Sequence, residues 1–418
     1  MRFIIITLLC ILPAIILAQD SSPFTVDDTV ALAIRNNPRL SAAMRDITAA
    51  RLGVRSAKAL ANPQIIFTPG ITGLAGTDEE LLVQQPLELN GTRAARTGIA
   101  QARLQQTQAE TVVELRNLVF TTKSAYYNLV RAREQLTLMR DLLMTTEEVA
   151  RFTRRQVELG SRPGIDQIQT DIEVSRARQQ VLIAEGEASA AQASLNTLLG
   201  RAPDISVGLL SPLTYRPTSV DRALSVQQAL SSRAEIAAEQ AAGNAFRQES
   251  RLTRAQGMPD LTPQFRAGSV VRKFSDYGVG LAITLPLFDY GSRRDRVHQA
   301  EESAHAQEER ATAARNQARQ EVEQALDRLH AADMALKEYD QGLLENSRRL
   351  LEASRIGFQV GQTSILTLLE AQRTYRTVQS EHINALVNYN LALTELERAT
   401  GAVSSSLVPG ATTLRGTK

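Results

Sequence analysis

The sequence predicts a mainly α protein with a small β part, built twice over, and three observations lead there. First, two segments 200 residues apart repeat one another. Gln85-Pro86-Leu87-Glu88-Leu89-Asn90-Gly91-Thr92-Arg93 aligns with Leu285-Pro286-Leu287-Phe288-Asp289-Tyr290-Gly291-Ser292-Arg293, so that two prolines, two leucines, two glycines and two arginines coincide. Second, residues 93–159 and 293–360 hold no proline and very little glycine, and are dense in Ala, Gln, Glu, Arg and Leu. Third, Tyr277, Val279, Leu281, Ile283 and Leu285 alternate with Gly278, Gly280, Ala282 and Thr284, the period of a strand with one large apolar face and one small or polar face.

The chain opens with a positive residue, Arg2, followed by an apolar run from 3 to 17 and the polar pair Gln19-Asp20, which reads as an export signal over residues 1–18 cleaved after Ala18. The alternative, an uncleaved anchor, needs a longer run. Cys10 is the only cysteine and falls inside this segment, without the small residue expected before a lipidated cysteine. Cleavage leaves a chain with no disulfide, no thiol nucleophile and no thiolate metal ligand. After Ala18 nothing approaches the ~20 apolar residues of a spanning helix, so a membrane crossing must use a closed β-barrel. Aromatics at 4% and no Trp exclude a chain made wholly of barrel, because barrels carry aromatic girdles. A formal net charge of +2 with scattered basic residues argues against a nucleic-acid partner.

The two copies are placed at 19–202 and 222–402, joined by a linker at 203–221 and followed by a tail at 403–418. In each, a helical segment comes first (25–60 and 225–255), with Asp27 or Asp28 as the expected cap of the first. A hairpin follows: residues 64–67 to a Gly-rich turn at 70–76 and back through 80–87, then 261–273 to a turn at 274–276 and back through 277–287. The long helix after each hairpin, some 65 residues, spans roughly 100 Å, more than a globular domain requires. A shorter helix of ~40 residues returns from the turns at Gly160 and Gly361 to Gly200 and Gly401. In the long stretch the apolar stripe is thin and interrupted (Leu326, Leu329, Leu336, Leu343, Leu350 and Leu351), which suits helices packed side by side with one face wet. The repeat offset drifts from 200 at Gly91/Gly291 to 201 at Gly160/Gly361, a drift expected to come from small changes in loop length.

The order and spacing of these elements, the two strand exits, and the turns Val157-Glu158-Leu159-Gly160 and Phe358-Gln359-Val360-Gly361-Gln362-Thr363-Ser364 resemble the outer-membrane efflux protein family, the TolC-type ducts of tripartite export systems, over essentially the whole mature chain. The resemblance implies a homotrimer in outer-membrane lipid. Each chain gives four membrane strands to a 12-stranded β-barrel and its long helices to an α-barrel tunnel through the periplasm of a Gram-negative cell. The physics agrees: four strands cannot close a barrel alone, and an open edge in lipid is forbidden. Gly278, Gly280 and Ala282 are expected to line the lumen. The implied partners are a periplasmic adaptor (membrane fusion) protein and an inner-membrane RND pump. Glu88 at the first exit and the compact length lean toward the heavy-metal cation-efflux (CzcC-like) branch; multidrug and type I secretion ducts share the architecture.

The resemblance puts Gly160, Ser161 and Arg162, with Gly361, Gln362, Thr363 and Ser364, at adaptor-docking tips, although each glycine also suits a simple helix end. It places Asp166 and Glu370 near a periplasmic aperture, where threefold symmetry would make rings of like charge that attract cations. Thr367, the copy-two counterpart of Asp166, is not acidic, so that pattern is incomplete. His298, His305, His330 and His382 are read as solvated, His298 and His305 being two turns apart and without a cysteine or suitably spaced acidic partner. No nucleophile–base arrangement and no phosphate loop is present, so neither an enzyme, a cofactor site nor a metal site is expected. The competing class is a periplasmic coiled-coil adaptor that binds partners without conducting, which would need a soluble module in place of the hairpins.

Overall fold

The computed structural model describes residues 24–69, 80–209, 213, 215–268, 276–286 and 288–401. The segment 1–18, Cys10, the turns at 70–76 and 274–275 and the tail 403–418 lie outside the described residues.

Helix α1 (Val26–Asn36) opens with Thr25, not with Asp27 or Asp28 as expected. The Thr25 hydroxyl accepts the Asp28 N–H at 3.1 Å while the Asp28 carboxylate accepts the Thr25 N–H at 3.0 Å. This reciprocal capping box satisfies two orphan donors at once. The first helical segment also breaks where one helix was expected. Asn37 accepts the N–H groups of Arg39 and Leu40, and Pro38 takes the first position of α2 (Pro38–Lys58), where its missing N–H is harmless. Copy two breaks at the matching place, between α5 (Arg222–Ser232) and α6 (Ala234–Ala255), although Arg233 supplies neither a proline nor a side-chain cap.

Strands β1 (Gln64–Thr68), β2 (Glu80–Gln84), β3 (Asp260–Gly268) and β4 (Asp276–Thr284) form one antiparallel sheet in that order, so the two hairpins join through β2 and β3. Residues directly opposite in a ladder share a face. The rungs Phe67–Leu81–Ala267–Tyr277 and Ile65–Val83–Phe265–Val279 are wholly apolar, and Pro263–Leu281 and Leu261–Ile283 extend the same face. The intervening rungs carry Gln64–Gln84–Gln264–Gly280 and Thr262–Ala282 on the other face, where only Ile66 and Leu82 are large and apolar. The Gln64, Gln84 and Gln264 side chains hydrogen-bond across three strands, and Arg266 pairs with Glu80 at 2.6 Å. The apolar side chains of β1 and β4 are exposed and both strands are edges of the sheet. The last strand stops at Thr284, three residues short of the expected end.

Helix α3 (Thr92–Glu158) runs unbroken for 67 residues, roughly 100 Å. α4 (Gly164–Leu198) returns along it. In copy two the corresponding stretch is divided into α7 (Ser292–Glu338) and α8 (Leu344–Gln359) by a wide π-turn at Tyr339–Leu343, and α9 (Ile365–Thr400) returns. The interruption corrects the expectation of one continuous helix. It also relocates the extra residue of copy two, which lies inside the helix and not in a loop. Buried pairs before the turn are 200 residues apart (Leu118/Ala318, Thr122/Val322, Leu129/Leu329), and those after it 201 (Thr146/Ser347, Thr153/Ser354, Leu195/Leu396). A π-turn is a single-residue bulge in an α-helix, so it absorbs the insertion and keeps the inward stripe in phase.

The helices lie side by side in a layer: α2, α3, α6 and α7 toward the sheet, and α4, α3, α9 and α8 at the other end. Buried alanines recur every seven residues (Ala95, Ala102, Ala109; Ala304, Ala311, Ala318), which is the seam of closely approaching, coiled-coil-like helices. Two cores mark the middle. Tyr126, Leu129 and Leu195 pack under α1, and Leu326, Tyr389 and Leu396 pack with Ala229 of α5. Among the described residues no helix is long and apolar enough to cross a membrane.

Candidate functional site

The end of the helical layer farthest from the sheet is built by two helix–turn–helix tips. In the first, Gly160 takes φ 74°, its N–H reaches the Val157 carbonyl at 2.9 Å, and the Ser161 N–H reaches the Gln156 carbonyl at 2.9 Å. In the second, Gly361 takes φ 81°, its N–H reaches the Phe358 carbonyl at 3.2 Å, and the Gln362 N–H reaches the Gly357 carbonyl at 2.8 Å. Both are Schellman caps, which need a left-handed residue and so select glycine. Nothing lies within 4 Å of a Cβ added to either glycine, so backbone conformation alone imposes the choice. Ser364 caps α9 by accepting the Thr367 N–H at 3.2 Å. Thr363 folds back on α8, its hydroxyl 3.3 Å from the Ser354 carbonyl and its methyl close against Gly357.

Gly160, Ser161, Gly361, Gln362 and Ser364 are exposed, whereas Arg162 is drawn inward. Its guanidinium lies 3.8 Å from the centre of the Phe358 ring, donates to the Phe358 carbonyl at 2.6 Å and faces the Asp166 carboxylate at 3.4 Å. Phe358 anchors a small core with Val149, Ile365, Leu368 and Leu369, and its ring meets Phe152 edge-on. Arg162 thus clasps the first tip to the second. The sequence marks Phe358 only as the start of the second turn, and the clasp is not legible there because Arg162 and Phe358 lie 196 residues apart.

Asp166 and Glu370 are not equivalent. The Asp166 side chain is 12% exposed and held by Arg162. The Glu370 side chain is 72% exposed, with Arg373 at 3.9 Å. Arg373 leans instead on Glu173 at 2.7 Å, tying α9 to α4. Between α4 and α9 a groove floored by Gln135 and Met139 of α3 climbs away from the tips, crossed by Arg376 bonding to Gln180.

Along the helices a chain of ions, its Arg116 and Arg233 buried and its other members partly exposed, joins the copies: Arg116 to Glu235, Glu235 to Arg233, Arg233 to Glu321 at 2.7 Å, and Glu321 to Arg398 at 3.7 Å. Burial opposes the charge on Glu235, but the hydrogen bond from Arg116 and the field of Arg233 outweigh it and hold the carboxyl below its ordinary range. Burial likewise opposes the charge on Glu321, and Arg233 more than compensates. The histidines do have acidic neighbours, contrary to expectation: His298 lies 3.5 Å from Glu301 and His305 3.4 Å from Glu308. Glu301 also binds Arg254, and among the described residues no group of three or more His, Cys, Asp or Glu is placed to hold a metal ion.

A model of the outer membrane efflux protein family matches residues 29–201 and 225–402. The chain is 23% identical to the cobalt-zinc-cadmium resistance protein CzcC of Cupriavidus metallidurans, over 92% of this chain and 91% of that protein. It is 25% identical to the alkaline protease secretion protein AprF of Pseudomonas aeruginosa, over 69% of this chain and 67% of that one. Among solved structures it superposes on CusC, described as forming a transmembrane channel, with a TM-score of 0.77 and 19% identity, over 90% of this chain and 92% of that one.

Proposed function

Because the chain belongs to the outer membrane efflux protein family, we propose that it is the outer-membrane exit duct of a tripartite, RND-type efflux system. The observation that carries this reading is the sheet, with one continuous apolar face, a polar opposite face and two open edges. An apolar face directed outward suits lipid, and a polar one suits a water-filled lumen. The open edges of β1 and β4 must be paired inside a bilayer, and three copies joined β4 to β1 make a closed barrel of twelve strands. The one-helix-thick layer below, with α2 and α4 at one edge and α7 and α8 at the other, closes into a tunnel by the same rotation. The chain is a passive conduit in this reading, and the energy comes from the inner-membrane pump.

The exposed residues Gly160, Ser161, Gly361, Gln362 and Ser364 form the docking surface for a periplasmic adaptor, six tips around the trimer. Arg162 supports that surface from behind by fixing one tip to the other. Glu370 supplies the charge of the periplasmic aperture, while Asp166 is neutralised by Arg162. The similarity to CzcC favours heavy-metal cations as cargo, and the similarity to AprF keeps a secreted protein as the second reading.

Gene deletion tests the cargo. A strain lacking this chain is expected to lose tolerance to zinc, cobalt or cadmium and to keep its exoprotein profile; the opposite pattern favours a secretion duct. Outer-membrane fractionation with a heat-modifiable trimer tests the assembly, and a monomer in the periplasmic fraction would overturn it. At the aperture, Glu370→Ala is expected to raise single-channel conductance or weaken cation block more than Asp166→Ala does.

A further inference from the structure

Toward the tips the groove between α4 and α9 leads into a smaller cavity of about 110 Å³. Met139 and Leu142 of α3 form its floor, Glu173 and Arg176 of α4 one wall, and Arg373 and Arg376 of α9 the other. Three guanidinium groups face one carboxylate there, which leaves a formal charge of +2. That carboxylate is already shared: Glu173 Oε1 accepts from Arg176 at 2.9 Å and from Arg373 at 2.7 Å. The second acidic contact of Arg373, to the exposed Glu370, is long at 3.9 Å. Arg376 has no acidic partner among the described residues and donates to the Gln180 amide oxygen at 2.7 Å. A guanidinium carries five N–H donors, so all three keep donors to spare. Helix packing does not demand this charge. At the offset of 201, Glu173 and Arg176 correspond to Thr374 and Thr377, and Arg373 and Arg376 to Ile172 and Ser175. The buried stripe repeats between the copies, as at Thr146 and Ser347, and the basic cluster does not.

We propose that this cavity is a binding site for a doubly charged tetrahedral oxyanion, sulfate or phosphate, held between Arg176, Arg373 and Arg376. The site does not depend on the channel reading. Its formal charge matches a dianion. The planar fork of a guanidinium fits the oxygens of such an ion two at a time, which the point charge of an ammonium does not. Donors converge from both walls, one arginine from α4 and two from α9, and the amides of Gln180 and Gln372 line the same space. Like charges facing one another across an apolar floor repel with little screening, and a dianion between them reverses the sign of that interaction. The bound ion therefore ties α4 of copy one to α9 of copy two. Leu369 lines the cavity and also belongs to the tip core, so the tie lies beside the clasp.

Equilibrium dialysis of the purified full chain in detergent against radiolabelled sulfate tests the site, with sodium chloride adjusted to hold ionic strength constant. The expected result is saturable uptake of one sulfate per chain, displaced by phosphate. Arg373→Gln and Arg376→Gln should each weaken uptake about tenfold or more, the scale of one hydrogen bond to a charged group. Glu173→Gln, which removes the competing carboxylate, should tighten it. Arg349→Gln, on the exposed side of α8, should leave it unchanged. Amide exchange on the unsubstituted chain gives a second measurement that no folding defect can obscure. Sulfate should slow exchange in residues 173–180 and 372–380 more than chloride does at the same ionic strength. Uptake that never saturates, uptake left unchanged by Arg373→Gln and Arg376→Gln, or uptake weakened by Glu173→Gln would overturn the site. Exchange that sulfate and chloride slow equally would overturn it too.

Discussion

The long helix of copy one is a single rod from Thr92 to Glu158, while the same stretch of copy two is two rods hinged at Tyr339–Leu343. The glycine turns, the buried stripes and the return helices correspond closely, so the helical packing is the same in both copies while the continuity of the long helix differs. The π-turn shows how. One added residue rotates everything downstream by about 100° in a regular helix, which would turn a buried stripe toward water. A wide turn around Gly342, at φ 137°, takes up that rotation at one place. The wide turn sits against α9, where the Tyr339 hydroxyl is 3.3 Å from Glu381 and its ring 5.9 Å from His382.

The most disruptive way to probe this difference is to delete one residue from each copy at the same place. Loss of Asp141, the counterpart of Gly342 at the offset of 201, should rotate Thr146, Val149 and Thr153 out of the seam, at a cost of several kcal/mol on the order of multiple buried-residue losses. Loss of Gly342 should convert the wide turn to plain α-helix and leave the downstream stripe in place. Heat-modifiable trimer on gels is expected to vanish for the first and persist for the second. Equal damage from both would show that the turn does not absorb the insertion.

The tips offer the next largest effect. Phe358→Ala removes the ring that Arg162 grips and opens the small tip core, at about 3–5 kcal/mol for a buried aromatic. Hydrogen exchange should then rise in both tips, because the clasp joins them. Val157→Ala at the equivalent place in copy one should loosen only its own turn. Exchange confined to the second tip in Phe358→Ala would remove the clasp from the account.

A smaller effect is expected at Gly342 itself. Gly342→Ala must hold a side chain in a conformation disfavoured for L-residues, worth roughly 1–3 kcal/mol, whereas Asp141→Ala inside a regular helix should stay within about 0.5 kcal/mol. Thermal melting of the two variants decides between them, and equal shifts would contradict the strain.

The gentlest probe is pH. Glu235 and Glu321 have folded pKa values below the ordinary carboxylate value of 4.5. Their contribution to stability is therefore complete above that value and is lost as pH falls through the lower, folded values. The seam held by α3, α6, α7 and α9 should thus be insensitive to pH from neutral down to about 5 and loosen below. Glu321→Gln should flatten that acid response when followed by amide exchange in α6. Copy one has Thr121 and Arg39 at the corresponding places and no such dependence is expected from them.

Much of this architecture was legible because it is written in local chemistry. Glycines 160, 200, 361 and 401 end helices by a rule of backbone conformation, and Tyr277 to Ile283 alternate as a two-faced strand must. The π-turn showed only as a one-residue drift in the repeat, which loops would explain equally well. The break at Arg233 carries no proline and no side-chain cap, so no local signal marks it; Arg233 is buried there and pairs with Glu321. At the tips the glycines and their exposed neighbours could be read from the sequence. The inward turn of Arg162 could not, since it depends on an aromatic from the other copy.

In the reading proposed above three copies of this chain close into a conducting channel, and current across a bilayer checks that closure. Purified trimer added to a planar bilayer should produce discrete, ion-carrying steps, and Val279→Arg, which puts a charge on the face assigned to lipid, should suppress insertion. Trimer that inserts without current, or insertion undiminished by Val279→Arg, would contradict it.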